Sequence, residues 1–275
     1  MTIAMTGATG NLGQLIAKAL IRAGHAPRTI ASVRRPEKAD SLSMAGIQVR
    51  HGDYDAPDTL AASFRDASKL LLVSSPERDD DVRLRQHRAA IRAAAHAGVR
   101  HIVYTSVAYP EKGKLPLHRL HLATEQAIRE SGLSYTILRN AGYLDIVRFL
   151  GVREAALSGI LLSPPGDWTF NNAAREDLAL AAAAVLTEEG HEGRTYELTA
   201  ARAWRLDDLA RAIAKVTGRR VAHRADPDMH GDIYRLLPLS ESRLVSPDLA
   251  RLAGGPLWTM QDEVRRMFGE TARSS

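Results

Sequence analysis

Three glycines recur at a spacing of three in "TGATGNLG": Gly7, Gly10 and Gly13. They sit between a short apolar stretch, Met1 to Met5, and a segment from Gln14 to Ile21 whose apolar residues keep helical spacing. A glycine-rich turn between a strand and a helix lets backbone N–H groups approach a phosphate without obstruction by Cβ atoms, and the helix N-terminus adds partial positive charge. Gly7 would make the tight turn, Gly10 the close approach and Gly13 the contact between helix and strand. The spacing is G-x-x-G-x-x-G rather than G-x-G-x-x-G, so the glycines alone also fit an ordinary turn. Their place between strand and helix is what points to a dinucleotide.

The type of dinucleotide is read where the second strand ends. An acidic residue there would bond a ribose 2′-hydroxyl and repel a 2′-phosphate. This chain has Val33-Arg34-Arg35-Pro36 instead. A guanidinium pairs bidentately with phosphate, so Arg34 and Arg35 favour NADP(H) over NAD(H). Asp53, after the third strand in "HGDYD", is placed to accept from an adenine amino group, with Tyr54 either packed beside it or lying on a surface turn. Ser74-Ser75-Pro76 follow the fourth strand, Tyr104-Thr105-Ser106 end the fifth, and Asn140-Ala141-Gly142-Tyr143 end the sixth. Strand ends of this kind line the ligand crevice of a doubly wound sheet.

The elements that must position these residues alternate. Strands are predicted at Ile3–Thr6, Thr29–Arg34, Ile47–His51, Lys69–Ser74, His101–Ser106 and Ser134–Arg139. Helices are predicted at Gly13–Ala23, Glu37–Ala45, Pro57–Phe64, Asp80–Ala97 and Leu120–Ser131. Gly24, Gly46, Gly98 and Gly132 each close a helical pattern, as a left-handed cap would. The fold class is therefore α/β, a Rossmann-type doubly wound parallel sheet. Residues 1–150 form the dinucleotide-binding part. Residues 151–275 form a smaller C-terminal α/β substrate lobe, interleaved with the first part rather than independent, with a strand at Thr195–Ala200 and an amphipathic helix at Trp204–Arg219.

Composition narrows the function classes. The chain has 275 residues, 45% hydrophobic and 25% charged, as expected of a soluble globular protein. It has no cysteine, which removes disulfides, thiolate metal sites and a thiol nucleophile, and no metal site is expected. No signal peptide and no stretch of ~20 apolar residues is visible, so a cytoplasmic protein without a membrane partner is expected. The net charge of +5 is spread among interspersed acids and aromatics make up only 5%, so no nucleic-acid partner is expected. A homodimer remains open.

With these residues in view the chain resembles the NmrA-like group of atypical short-chain dehydrogenases/reductases, in particular its bacterial NADPH-dependent quinone oxidoreductases. The matching segments include "TGATGNLG", "VRRPEKA", "GDYDAP", "TEQAIRESGLSYTILRNAGY", "REDLALAAAAVL" and "GHEGRTYELT", spread from residue 5 to about 215. The resemblance implies an extended Rossmann fold, NADP(H) binding and reduction of a small quinone-like molecule. It implies that Gly7, Ala8, Thr9, Gly10, Asn11 and Leu12 hold the pyrophosphate and Arg34 the 2′-phosphate. It places Ser74 and Ser75 beside the nicotinamide ribose and Asn140, Ala141, Gly142 and Tyr143 near the nicotinamide. Arg175 would reach toward the cofactor from the second lobe.

One expected feature of the wider superfamily is missing. No tyrosine in the chain is followed four residues later by lysine, so alcohol oxidation or sugar epimerisation by a tyrosine–lysine pair is disfavoured. Quinone reduction does not need that pair, because hydride lands on an electron-poor ring and the oxyanion formed is a weakly basic phenolate. His121, near the place of the absent lysine, and Tyr143 are the candidate proton donors; a backbone-bonded His121 and a packing Tyr143 are the plainer alternatives. Arg83, Arg85, Arg88 and Arg92 read as a solvated helix face, Trp204 as the buried start of a helix, and Trp168 as a candidate pocket wall. Three activities fit: an NADPH-dependent quinone reductase, an azo or dye reductase, and a non-enzymatic NADP(H) redox sensor with a protein partner.

Overall fold

The computed structural model describes residues 1–269. Its centre is a parallel sheet of strands β1 (Ile3–Met5), β2 (Thr29–Val33), β3 (Gln48–His51), β4 (Lys69–Leu72), β5 (His101–Val107), β6 (Ser134–Asn140) and β7 (Arg194–Leu198). They run in the order 7-6-5-4-1-2-3, and every pairing is parallel. The order reverses between β1 and β4, which opens a crevice at the carboxyl ends of those two strands.

The sheet is buried on both faces, as its apolar strands require. Helices Asn11–Arg22 and Arg175–Thr187 cover one face through Ile16, Leu20, Leu178 and Val185. Helices Pro57–Ser63, Asp80–His96 and Pro116–Glu130 cover the other through Leu60, Ala90, Ala94 and Ile128. The four glycines expected to cap helices all take positive φ, between 74° and 87°. The predicted helix Glu37–Ala45 is instead two short pieces, Pro36–Lys38 and Asp40–Met44, separated by Ala39, which is buried and non-helical at φ −116°, ψ 18°.

The second half of the chain returns to the sheet. The segment expected as a strand of the C-terminal lobe becomes β7, pairing Thr195 with Ile137 along the edge of β6. An unpaired β6 would leave a buried, apolar edge without hydrogen-bond partners, and β7 removes that cost. A second core gathers Leu144, Phe170, Trp204, Leu209, Ile213 and Val264. Trp204 does not begin the helix. It lies in a two-residue strand, Trp204–Arg205, antiparallel to Thr169–Phe170, and its ring stacks on Phe170 at 4.5 Å; the helix begins at Leu206. No described helix is long and apolar enough to cross a membrane, and no metal-binding cluster occurs among the described residues.

Candidate active site

The glycine turn sits at the crevice. Gly7 has φ +63°, and its carbonyl accepts from Gly10 N–H at 2.9 Å. A Cβ at Gly13 would lie 2.0 Å from that carbonyl oxygen, so only glycine lets the helix start against the turn. Gly10 differs: an added Cβ would meet only Gly7 O, at 3.3 Å. A side chain at Gly10 would crowd the Gly7 carbonyl far less than one at Gly13 would, though the turn must still give by a few tenths of an ångström. Helix Asn11–Arg22 has no side-chain cap and no acid in its first turn, which leaves its first N–H groups available. Ala8 and Leu12 turn their side chains into the core and offer backbone only.

A cavity of about 430 Å³ runs from this turn past Thr9, Arg34, Arg35, Lys38, Asp53 and Tyr54. The side chains of Arg34, Arg35 and Lys38 are exposed and have no hydrogen-bond or ion-pair partner among the described residues. Asp53 is anchored by its N–H to Thr59 Oγ1 at 2.9 Å, and its carboxylate accepts from Asp55 N–H at 3.1 Å. Tyr54 is no surface residue. Its hydroxyl lies 2.8 Å from Thr6 Oγ1 and 3.0 Å from Val73 O, tying the ends of β1 and β4 together, and burial raises its pKa.

The wall of the crevice that follows β4 is closely bonded, and Ser75 and Gln86 border the same cavity as the cations. Ser75 N–H donates to His87 Nε2 at 2.9 Å, and its hydroxyl donates to Gln86 Oε1 at 2.5 Å. Because Nε2 accepts, the His87 proton sits on Nδ1, 3.0 Å from Thr124 Oγ1, which in turn donates to Leu120 O. Burial pushes the His87 pKa down to about 3, so the ring stays neutral. Ser74 Oγ accepts from Arg83 at 2.8 Å. Arg83 therefore departs from the solvated face expected for its helix: Arg85, Arg88 and Arg92 are exposed, whereas Arg83 turns inward to Ser74 and Asp80. Arg83, Gln86 and His87 form one i, i+3, i+4 stripe facing the end of β4, and that spacing is the sequence signal that marks them.

His121 is 5% exposed, and its Nδ1 lies 2.8 Å from the hydroxyl of Tyr104, which sits in the middle of β5 because the strand continues to Val107. Burial, with the Arg83 charge second, takes its pKa down to about 3. Its partner is thus a side chain rather than the backbone carbonyl weighed above. Asn140 and Ala141 are held by backbone bonds, Asn140 O from Ala108 N–H and Ala141 N–H to Leu198 O, both at 2.9 Å. Asn140 Oδ1 is buried with no partner among the described residues. Gly142–Tyr143 pairs in parallel with Asn172–Ala173, and a Cβ on Gly142 would come within 2.9 Å of Asn172 Nδ2. The Arg175 guanidinium lies 3.9 Å over the Tyr143 ring and is ion-paired with Asp145. Arg175 and Asn11 line one small cavity beside the first helix. Trp168 does border a cavity, of about 530 Å³, with Lys112, Leu237 and Arg243.

A sequence profile described as the NmrA-like family matches residues 1–238. The chain belongs to the NmrA-like family. This NmrA-like protein is 36% identical to quinone oxidoreductase 2 of Escherichia coli (strain K12), over 97% of its own length and 98% of that protein's. It superimposes on a crystal structure of the Citrobacter sp. triphenylmethane reductase complexed with NADP(H) with TM-score 0.87, at 39% identity, covering 97% and 99% of the two chains. It also matches the NADPH complex of an NADPH-dependent quinone oxidoreductase from E. coli with TM-score 0.86, at 34% identity and 97% and 100% coverage.

Proposed function

We propose that this NmrA-like protein is an NADPH-dependent oxidoreductase that transfers hydride to planar, electron-poor acceptors, quinones above all. The observation that carries this is one end of the crevice: three cations, Arg34, Arg35 and Lys38, without partners among the described residues, opposite an uncapped helix N-terminus. The relatives named for NADPH and quinone support the same reading.

NADPH, when bound, supplies the hydride. The chain's own residues do the rest. The turn from Gly7 to Leu12 receives the pyrophosphate on backbone N–H groups, and Arg34 and Arg35 take the 2′-phosphate. Ser74, Ser75 and Asn140 border the nicotinamide end; the unpartnered Oδ1 of Asn140 suits an amide N–H donor such as the carboxamide. Reduction of a quinone by hydride leaves one phenolate, which takes one proton. In the tautomer that carries its proton on Nε2, neutral His121 accepts from the Tyr104 hydroxyl at Nδ1 and can stabilise that oxygen by hydrogen bonding from Nε2–H. Tyr143, its ring under Arg175, closes the acceptor side.

The similarity to a triphenylmethane reductase favours a second acceptor class. Hydride addition to a cationic dye carbon gives a neutral product with no proton required, which suits a site without a tyrosine–lysine pair. The test is steady-state NADPH oxidation with 1,4-benzoquinone, a triphenylmethane dye and a ketone of similar size. Turnover of quinone or dye with negligible ketone reduction is expected. Tight NADPH binding with no acceptor-dependent oxidation would replace the proposal by the redox-sensor reading.

A further inference from the structure

Residues 108–115 join the end of β5 to helix Pro116–Glu130 and touch the C-terminal lobe on the way. Ala108 N–H donates to Asn140 O at 2.9 Å, and Lys114 N–H donates to Leu239 O at 2.8 Å. Between these ties Lys112 borders the cavity of about 530 Å³ with Trp168 and Leu237. Of residues 109–115 only Pro110 is buried, so apolar packing does little to hold the segment. Tyr109 is left-handed at φ +46°, a costly conformation for a residue with a Cβ. Its N–H donates to Glu197 Oε2 at 2.9 Å. The far end is fixed: Leu115 N–H donates to His118 Nδ1 at 3.1 Å, and a Cβ on Gly113 would lie 2.0 Å from that ring.

Polar contacts to β6 hold the middle. The Arg139 guanidinium directs all five of its N–H groups at three carboxylates. Nε and Nη2 bond Glu125 at 2.9 and 2.8 Å, Nη1 bonds Glu197 at 2.9 Å, and Nη1 and Nη2 bond Glu111 at 3.1 and 2.5 Å. Glu125 is fully buried and also holds Ser106 and Arg129. Glu197 is 18% exposed and Glu111 55%. Burial raises the Glu197 pKa, with the Glu111 charge a lesser cause. Three carboxylates thus meet two guanidinium groups, Arg139 and Arg129, and departure of Glu111 leaves the buried remainder balanced.

We propose that residues 109–114 form a strap that opens as a unit, that Glu111 is its latch on Arg139, and that the closed strap covers the acceptor side of the crevice. Opening breaks one bidentate ion pair at the solvent edge, relieves the left-handed Tyr109 and leaves Arg139 on its two less exposed carboxylates. Glu111 is the member that water replaces at least cost, because it is the exposed one. The strap's ties give its place. It leaves the sheet beside Asn140, which the proposed function sets at the nicotinamide end, and it reaches the 530 Å³ cavity through Lys112. The covering of the acceptor rests on that proposed function; the latch does not.

The test is hydrogen–deuterium exchange of the whole protein, read by mass spectrometry over residues 109–115. The closed strap protects the amides of Tyr109, Lys112 and Lys114, which donate to Glu197 Oε2, Tyr109 O and Leu239 O. Glu111→Gln should speed their exchange at least ~3-fold, and Glu111→Lys, which sets a cation against Arg139, at least ~10-fold. Peptides from helix Asp80–His96 should keep the parental rate. Hydroquinone at about ten times its dissociation constant, with NADPH present, should slow exchange of the strap about 10-fold. The latch is overturned by parental exchange in Glu111→Lys, or by acceleration that spreads equally to helix Asp80–His96. Exchange unaffected by hydroquinone would overturn the covering of the acceptor. A parent that oxidises NADPH with no acceptor would instead sink the reductase reading, while the two Glu111 variants still decide the latch.

Discussion

Two sides of the crevice are built on opposite plans. Beside the glycine turn, Arg34, Arg35 and Lys38 stand in solvent with no partner among the described residues. Along the wall that follows β4 and β5 nearly every polar group is already engaged: Ser75 with His87 and Gln86, Ser74 with Arg83, His121 with Tyr104. Solvated cations cost little to keep unpaired and gain most when a phosphate arrives, so they suit discrimination between cofactors. Buried groups would lose stability if left unpaired, so a rigid, pre-bonded wall suits the positioning of a reacting ring. On the proposed function, the cations would recognise by charge and the bonded wall by shape.

The sharpest way to break the comparison is Gly10→Val. A Cβ there crowds the Gly7 carbonyl at 3.3 Å, a contact the turn meets by a shift of a few tenths of an ångström, and the branched side chain adds bulk above the turn. NADPH affinity should fall by at least ~10³-fold, about 4 kcal/mol, while the circular dichroism spectrum stays native. A folded variant with parental affinity would move the phosphate site elsewhere. Arg34→Asp should cost about 10²-fold in NADPH affinity and improve NADH, inverting the preference in a paired titration. If Lys38 and Arg35 alone keep the parental ratio, recognition by charge is shared rather than centred on Arg34.

Along the bonded wall the effects should be smaller. His121→Ala should lower kcat/KM for benzoquinone by no more than ~10²-fold with NADPH affinity intact, because the ring is neutral and water can also protonate a phenolate. A loss of ~10⁴-fold would make His121 an indispensable acid.

The buried histidines carry a pH signature. His87 and His121, at about 3, and His101, at about 4, are all held below the ordinary histidine value by burial. Below pH ~6.5 the unfolded chain binds protons that the fold refuses, so stability falls as pH drops, by about 1.4 kcal/mol per pH unit for each such ring. Asp177, raised to about 6 by burial, works in the opposite direction over part of that range. His118 is lowered by burial as well and Glu197 raised like Asp177, so four rings against two carboxylates predict a Tm that declines from pH 7 to pH 5 in differential scanning calorimetry. A flat Tm over that interval would mean the rings are accessible to protons.

The legibility of these two sides in the sequence differs for the same reason. Gly7, Gly13 and Arg34 stand out because a strand–turn–helix joint and a strand end are local features, and the residue types there have few other uses. Arg83 and His87 are hidden because an arginine-rich helix looks solvated until one knows which face meets β4. Asn172 is hidden more deeply. It lies in a two-residue strand whose partner, Gly142–Tyr143, is thirty residues away and has no hydrophobic period to announce it. The alternation of strands and helices was readable through residue 140; the destination of β7 was not, since a short strand pattern does not name the edge it will join.

That destination has a consequence during synthesis. β7 begins 54 residues after β6 ends, from 140 to 194. At roughly 5–20 residues per second, β6 waits about 3 to 11 seconds for its neighbour as the chain leaves the ribosome. In that interval its edge offers unpaired N–H and C=O groups to any other nascent strand. A chain halted before Arg194 would keep the whole cofactor turn and yet lack the strand that seals its sheet. The cell's quality control thus meets this protein at its most adhesive just before the last sheet strand is made.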